Sequence, residues 1–417
     1  MKDGQPVDPL PVDNNWAVDG IRPAPSAHTI HHNAYGGILL KSLSKLLGRA
    51  VAPRSKSKPV RRLVVLQNAS AYHQCLKELK KQGIRPIKKI RSLHAILCRV
   101  HPEADIATLK KHPLVKRIDH DRRIRLHRRR ISSPLLAAAA CAVSGRQTVP
   151  WGISRIQAPS LWGRTTGRSV RVAVLDTGIA PHPDLKVAGS FNTIGSGPVV
   201  DDNGHGTHVA GTIGALNNSI GVVGAAPRVK LYAVKAFDRN GSAYMSDIIE
   251  GIDWCIRNNI QVINMSFGDP TYSESLRDII RQAYKKGIIM VASAGNDGPR
   301  NQDLNYPARF PETIAVAASD SRGRIASFSS RGAGVDIAAP GAEICSTYPG
   351  GTYAKLDGTS MAAPHVSGTA ALLLRLHPGM TPKGFRSRIR RSALKLKGYS
   401  ARSQGSGLLQ AKKAAQG

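Results

Sequence analysis

The sequence predicts an α/β protein, a doubly wound parallel sheet with helices on both faces, preceded by a small α+β unit. Two observations predict the large part. From about residue 146 onward, short β-branched runs alternate with helical patterns. Each run ends in glycine or a polar residue, as in parallel sheets buried on both faces. A third observation predicts the small part: between residues 60 and 120, strand-like and helix-like stretches follow in the order βαββαβ. A chain of 417 residues with 41% hydrophobic content is long enough for one large domain and a smaller one.

Residues 1–58, rich in Pro, Asn, His and Gly, read as a poorly ordered N-terminal extension. Within it, "GGILLKSLSKLLGRAV" reads as a short amphipathic helix, and Lys41, Lys45 and Arg49 interrupt it too often for a bilayer span. No other stretch is a transmembrane candidate. The opening "MKDGQPVDPLPVDNNWAVDG" shows no apolar core of a secretory signal. His28, His31 and His32 read as part of a solvated loop, because no acidic or cysteine partner stands near them to complete a metal site.

The small unit covers residues 59–121. "RLVVLQN" reads as a strand, "AYHQCLKELKKQG" as an amphipathic helix closed by Gly83, and "IRPIKKI" and "LHAILCRV" as two more strands. "PEADIATLKKHP" is a second helix opened by Pro102, and "LVKRIDH" a last strand. That order is the ferredoxin-like one. Basic "RRIRLHRRR" and small-residue "ISSPLLAAAACAVSG" follow, so residues 122–145 read as an exposed, cleavable linker.

Over residues 146–417, the strands are "VRVAVLDTG", "KLYAVKAF", "IQVINMSFG" and "GIIMVASAGN". Between them lie the helices "HGTHVAGTIGAL", "MSDIIEGIDWCIRNN" and "ESLRDIIRQAYKKG". Such sheets bind ligands beyond the carboxyl ends of their strands, so the polar residues at those ends carry the expected chemistry. Asp176 closes the first strand, His205 stands between two glycines at a helix start, Asn296 follows the fourth strand, and Ser360 lies in "LDGTSMAAPHVSG". A serine hydroxyl needs a base to become a nucleophile. Histidine titrates near neutrality and can take that proton. A buried carboxylate fixes the imidazole tautomer, and a side-chain amide can donate to an oxyanion. His365 is the nearest histidine to Ser360 in sequence, but five helical residues turn it roughly 140° away. The base must come from elsewhere.

The motifs "VLDTG", "HGTHVAG", "SAGN" and "GTSMAAPH", in that order, closely resemble those of the subtilisin-like serine proteases, the subtilases. The resemblance extends over residues 146–417. It implies a serine endopeptidase with an acyl-enzyme intermediate, in which Asp176, His205 and Ser360 form the triad. Asn296 and the Ser360 backbone N–H would form the oxyanion hole, and His208 and His365 would be structural. It also implies a calcium site in "ALNNSIGVVGAAP", with Gln147, Asp184 and Asn218 as side-chain ligands and Leu216, Ile220 and Val222 through their carbonyls. Asp336 is a thinner candidate for a second site.

The same resemblance lines the substrate cleft with Ser266, Phe267 and Gly268 and with Ser293, Ala294 and Gly295, segments able to pair with an extended peptide. Their small size implies broad specificity with a preference for a large apolar P1 side chain, with Asn305 at the pocket floor. Phe237, Met245 and Ile248 are either an apolar subsite further along the substrate or core. Residues 59–121 resemble the family's prosegment, an intramolecular inhibitor that assists folding and is removed by the enzyme itself.

The net charge of +33 is compatible with a nucleic-acid or anionic partner, or with a solvated basic surface. No basic stretch is interleaved with stacking aromatics, so no specific nucleic acid is expected and protein or peptide substrates are. In the catalytic part, the charge could favour acidic substrates or stability at high pH. The rival readings are a catalytically inactive binding protein of the same fold and a basic nucleic-acid-binding protein. Five scattered cysteines with no CxxC pair argue against a disulfide framework and a zinc site, and fit a chain that needs no oxidising compartment. The expected location is therefore the cytoplasm or export by a non-classical route, with secretion as the alternative.

Overall fold

The computed structural model describes residues 27–51, 58–101, 106–126, 141, 146–299 and 303–417, with side chains from residue 39 onward. Most of the linker 122–145 and the first 26 residues of the extension lie outside the described residues. Where composition predicts weak order, a helix α1 (Ala27–Val51) forms. It contains the backbone of His28, His31 and His32, which are therefore helical and not in a loop. Leu43, Leu47 and Ala50 recur at helical spacing and are buried with Cys75 and Leu79 in one core. The amphipathic stretch expected from "GGILLKSLSKLLGRAV" is thus the C-terminal part of a longer helix.

The small domain follows in the expected order: β1 (Val60–Leu66), α2 (Ala69–Lys81), β2 (Lys88–Ile90), β3 (Ala95–Val100), α3 (Ile106–Lys111) and β4 (Val115–His120). Asn68 starts α2 by accepting from the backbone N–H of Ala71 at 2.9 Å, and Gly83 follows its end with φ +71°. The antiparallel sheet has the order β2-β3-β1-β4. Its strands alternate: Val64, Leu66, Ile96 and Cys98 face the domain's own helices, while Leu63, Val65, Ala95 and Leu97 join a core of the large domain. This two-sided burial accounts for the unbroken apolar run of β1. Beyond β4, β5 (Arg123–Arg125) leaves the small sheet.

The large domain opens with α4 (Trp151–Arg155) and β6 (Arg171–Asp176), then β7 (Val187–Asn192), α5 (His205–Gly214), β8 (Lys230–Lys235) and β9 (Ser242–Tyr244). Next come α6 (Met245–Arg257), β10 (Val262–Met265), α7 (Glu274–Lys285), β11 (Ile289–Ser293), β12 (Ile314–Ser319) and β13 (Val335–Pro340). A hairpin of β14 (Ile344–Tyr348) and β15 (Thr352–Leu356) leads into α8 (Thr359–Leu376), followed by α9 (Pro382–Arg391), α10 (Ala401–Gln404) and α11 (Ala411–Gln416).

The seven-stranded sheet runs β13-β12-β11-β10-β6-β8-β7, parallel throughout. Val172, Val174, Val262 and Val291 point to one face, with α5 and α8. Ala173, Leu175, Ile263 and Ala292 point to the other, with α6 and α7. The doubly wound architecture is as predicted.

The expectation from cysteine spacing fails. Cys141 and Cys345 form a disulfide, with Cα atoms 5.8 Å apart across a sequence separation of 204. The cysteine spacing gives no sign of it because the fold, not the local chain, brings the two segments together. Cys75, Cys98 and Cys255 are free and buried, and burial pushes the thiols of Cys75 and Cys98 up to about 12. Cys255 packs in the core, as expected.

Candidate active site

Asp176 is the last residue of β6 and is completely buried. Its Oδ1 lies 2.7 Å from His205 Nδ1 and also accepts the Thr177 backbone N–H at 2.8 Å. A buried carboxylate paired in this way fixes the orientation and tautomer of the ring. Glycine makes the approach possible: a Cβ on Gly206 would fall 2.1 Å from the Gly178 carbonyl oxygen and 3.2 Å from the Asp176 Cβ. Gly204, just before α5, has φ +95°, and a Cβ there would strike the Tyr348 ring.

The residue that anchors this corner, Asp201, was missed in the sequence. Its Oδ1 accepts the N–H groups of Asn203 and Gly204 at 2.9 and 2.8 Å, and its Oδ2 accepts the Thr207 N–H and hydroxyl at 2.9 and 2.6 Å. It pins the helix start that carries His205. The only signal for it was an acidic residue just ahead of a helix.

Ser360 sits in the first turn of α8, buried like its neighbours. Its Oγ donates to the Ser266 carbonyl at 2.9 Å, and the Ser266 hydroxyl donates back to the Ser360 carbonyl at 2.8 Å. Asn264, in β10, donates to Ser266 Oγ and accepts from Ser367 Oγ, both at 2.8 Å, tying α8 to the strand. Asn264 is in register with Val174. Two residues beyond each, Ser266 and Asp176 leave adjacent strands side by side, one holding Ser360 and the other His205. No hydrogen bond joins Ser360 to His205 here; the hydroxyl faces the Ser266 carbonyl.

Asn296 accepts the Thr359 backbone N–H and hydroxyl on Oδ1, at 2.9 and 2.8 Å. That fixes the amide so that Nδ2 is turned the other way. A Cβ on Gly358 would lie 3.3 Å from Asn296 Nδ2 and 3.6 Å from the Ser360 backbone nitrogen. Two N–H donors therefore flank one glycine, an arrangement suited to an oxyanion.

The other histidines stand apart. His208 Nε2 bonds to the carbonyls of Ile344 and Ala354, at 2.9 and 3.0 Å, bracing the hairpin. His365 Nδ1 donates to Met361 O at 2.9 Å, and burial lowers its pKa to about 4, so it is neutral.

Of the residues expected to line a cleft, Ser293 Oγ donates to Phe267 O at 3.3 Å, linking the two segments. Asn305 is buried, and its Nδ2 donates to Asp297 at 3.0 Å. A Cβ on Gly295 would fall 2.7 Å from that nitrogen, so Asn305 lies directly behind Gly295. Gly268 lies just before Asp269, whose N–H donates to Tyr306 O. Phe237, Met245 and Ile248 are buried in the core on the α6 side, together with Ile124 of β5.

The cation-ligand candidates also converge. Gln147 Nε2 lies 2.7 Å from Leu216 O, 3.2 Å from Asn218 Oδ1, 3.0 Å from Ile220 O and 3.4 Å from Val222 O. Buried Asp184 bonds to Asn218 Nδ2 at 3.0 Å and to Val222 N at 2.9 Å. An amide with two hydrogens cannot satisfy four oxygens. Such a surplus of carbonyl and amide oxygens beside one carboxylate suits a hard cation. Asp336 does not fit: its carboxylate is committed to Arg386 at 3.3 Å and to the Ala315 N–H at 3.1 Å. Among the described residues, no three His, Cys, Asp or Glu side chains cluster as a metal site, and no helix is long and apolar enough to cross a membrane.

Comparison with known proteins agrees with the geometry. A profile described as "Subtilase family" matches residues 167–407. The "Thermostable alkaline protease" of Halalkalibacterium halodurans is 44% identical over 335 residues, covering 80% of this chain and 85% of the relative. "Subtilisin Savinase" of Lederbergia lenta is 48% identical over 270 residues, 64% of this chain and 99% of the relative. The "Subtilisin" of Bacillus pumilus is 50% identical over 276 residues, 65% of this chain and all of the relative. The chain belongs to the subtilase family and is a subtilisin-like serine endopeptidase.

Proposed function

We propose that in this subtilase Ser360 is the nucleophile, His205 the base and Asp176 its orienting carboxylate. His205 takes the Ser360 proton as Oγ attacks the scissile carbonyl, and returns it to the leaving amine as the C–N bond breaks. Water, activated by the same ring, then attacks the acyl-enzyme; the acid product leaves, and Ser360 recovers its proton. Asn296 Nδ2 and the Ser360 N–H hold the oxyanion in both steps. The observation that carries this reading is the buried 2.7 Å Asp176–His205 contact on the strand next to the one that holds Ser360. The small walls at Gly268 and at Ser293–Gly295 favour a large apolar P1 side chain.

In this reading, residues 59–121 are an inhibitory prosegment, preceded by the extension 1–58 and followed by the cleavable linker 122–145 and the catalytic domain 146–417. β5 supports it, lying antiparallel on the β9 edge with Ile124 opposite Ala243, and the Leu126 N–H donates to Gly241 O at 2.8 Å. An extended chain added to an exposed edge is how a peptide substrate would bind. The cut then follows Leu126 within the linker. The disulfide favours an oxidising location outside the cytoplasm.

Intact-mass spectra of the full chain and of Ser360→Ala, both incubated with calcium, test the mechanism. The wild type loses its N-terminal segment while Ser360→Ala stays whole. Equal cutting of both would remove Ser360 from the mechanism.

Calcium, held by Gln147, Asp184, Asn218 and the carbonyls of Leu216, Ile220 and Val222, would clamp the start of the catalytic domain to the loop after α5. Its role would be structural. Chelation should speed thermal inactivation by about tenfold or more, the effect of removing about 1.4 kcal/mol or more of bound-state stabilisation. Gln147→Ala should narrow the difference between calcium and chelator. Identical inactivation with and without chelator would overturn the site.

A further inference from the structure

We infer that the non-prime side of the cleft selects peptides carrying two consecutive basic residues directly before an apolar one. This rests on the endopeptidase reading above and names its substrate class. The segment Arg122–Leu126 pairs with β9 on one side, and the Arg122 side chain reaches the loop after Gly268 on the other, an extended placement that a peptide substrate could share. Ile124 is 3% exposed, in the core that includes Phe237, Met245 and Ile248.

The two preceding residues are read by charge. Arg123 Nη2 lies 3.0 Å from Asp238 Oδ2, and its guanidinium carbon stands 5.4 Å from the Tyr244 ring centroid. Arg122 pairs with the Asp269 carboxylate and donates to Thr271 O at 2.5 Å.

These acceptors belong to the catalytic domain and stay with it when the prosegment leaves. The chain has 27 acidic against 60 basic residues, so its overall field repels a basic peptide. Two carboxylates on either side of the strand-pairing edge reverse that locally. The site therefore favours basic segments, whereas overall charge alone points to acidic substrates.

The test uses the full chain after it has processed itself. Two quenched fluorescent peptides are compared: one with the sequence of residues 121–130, the other with Gln at the positions of Arg122 and Arg123. Product masses establish that both are cut at the same bond. The expected ratio of kcat/KM is about five- to tenfold in favour of the arginine peptide at low salt, the size of two partly exposed ion pairs. It falls towards one at about 1 M salt, and falls likewise in Asp238→Asn/Asp269→Asn. Equal cutting of both peptides by the wild type overturns the inference and leaves the protease reading standing, as does a ratio unmoved by the double substitution. Failure of the self-processed enzyme to cut either peptide overturns the inference too, since this segment would then not be read as substrate. A full chain that neither processes itself nor cuts any peptide would overturn the protease reading.

Discussion

The large domain holds itself together with apolar layers, whereas the small domain holds on to it with one apolar sheet face ringed by charge. The parallel sheet buries valine and alanine on one face against α5 and α8, and on the other against α6 and α7. At the junction, the cations come mostly from the small side and the carboxylates from the large one. Lys88 meets Asp247 at 3.0 Å and also Glu250, Arg117 meets Asp278 at 2.8 Å, and Arg123 meets Asp238 at 3.0 Å. Asp121 reverses the pattern. It accepts the Ser246 N–H and hydroxyl, both at 2.8 Å, at the start of α6, and is paired in turn with Arg61 at 2.7 Å. A core is indifferent to salt; an ion-paired interface is not.

The largest blow to the comparison is struck on the apolar side. Phe385→Ala, at a fully buried position of the core below α8, should cost about 4 kcal/mol. It should appear as faster thermal inactivation of proteolysis, equally at low and high salt. A strong salt dependence would mean that charge also holds the core.

Next is Lys88→Ala, which strips a buried cation from between two carboxylates and should weaken docking by about 3 kcal/mol. In a Ser360→Ala background, an added protease should then digest the small domain while the large one resists. Equal sensitivity of both domains would break the contrast.

The smallest effect belongs to Arg117→Met, about 1 kcal/mol, because both partners are partly solvated. Its pH dependence sharpens the picture. Burial raises the Asp278 pKa, but the Arg117 hydrogen bond and charge outweigh that and leave it below the ordinary value. A depressed carboxylate contributes docking energy above its ordinary pKa of about 3.9, and that energy is lost as pH falls through the depressed value. Asp247 and Glu250 run the other way: burial raises both despite Lys88, so their contribution is present in acid and declines as pH climbs through the raised values. Lys116, 3.3 Å from the same carboxylate, stays in place, so Arg117→Met should reduce the low-pH loss and leave the decline at higher pH. Salt-induced release of the small domain, followed across pH, measures both.

Much of this was legible in the chain. The alternation of β-branched runs and amphipathic stretches located the strands around 174, 233, 264 and 291 because a buried parallel sheet demands that composition. The polar strand exits pointed to Asp176 and Asn296 for the same reason: a buried polar group that serves no purpose is costly. Helix α1 was only half legible, since the leucine stripe at 43 and 47 sits beside a polar stretch. Asp201 and Asn264 left no distinct mark, because their value lies in backbone groups that only the folded chain presents to them.

The sequence by itself determined the layers, the order of the chemical groups and the family, because period, turn residues and strand exits are local properties. It also determined that His365 could not serve Ser360, since helix geometry is set within a few residues. Tertiary structure alone decided which distant groups meet: Cys141 with Cys345, Gln147 with the loop 216–222, and Arg122 and Arg123 with Asp269 and Asp238. Each of these pairings depends on distances between segments far apart in the chain, and those are fixed by packing.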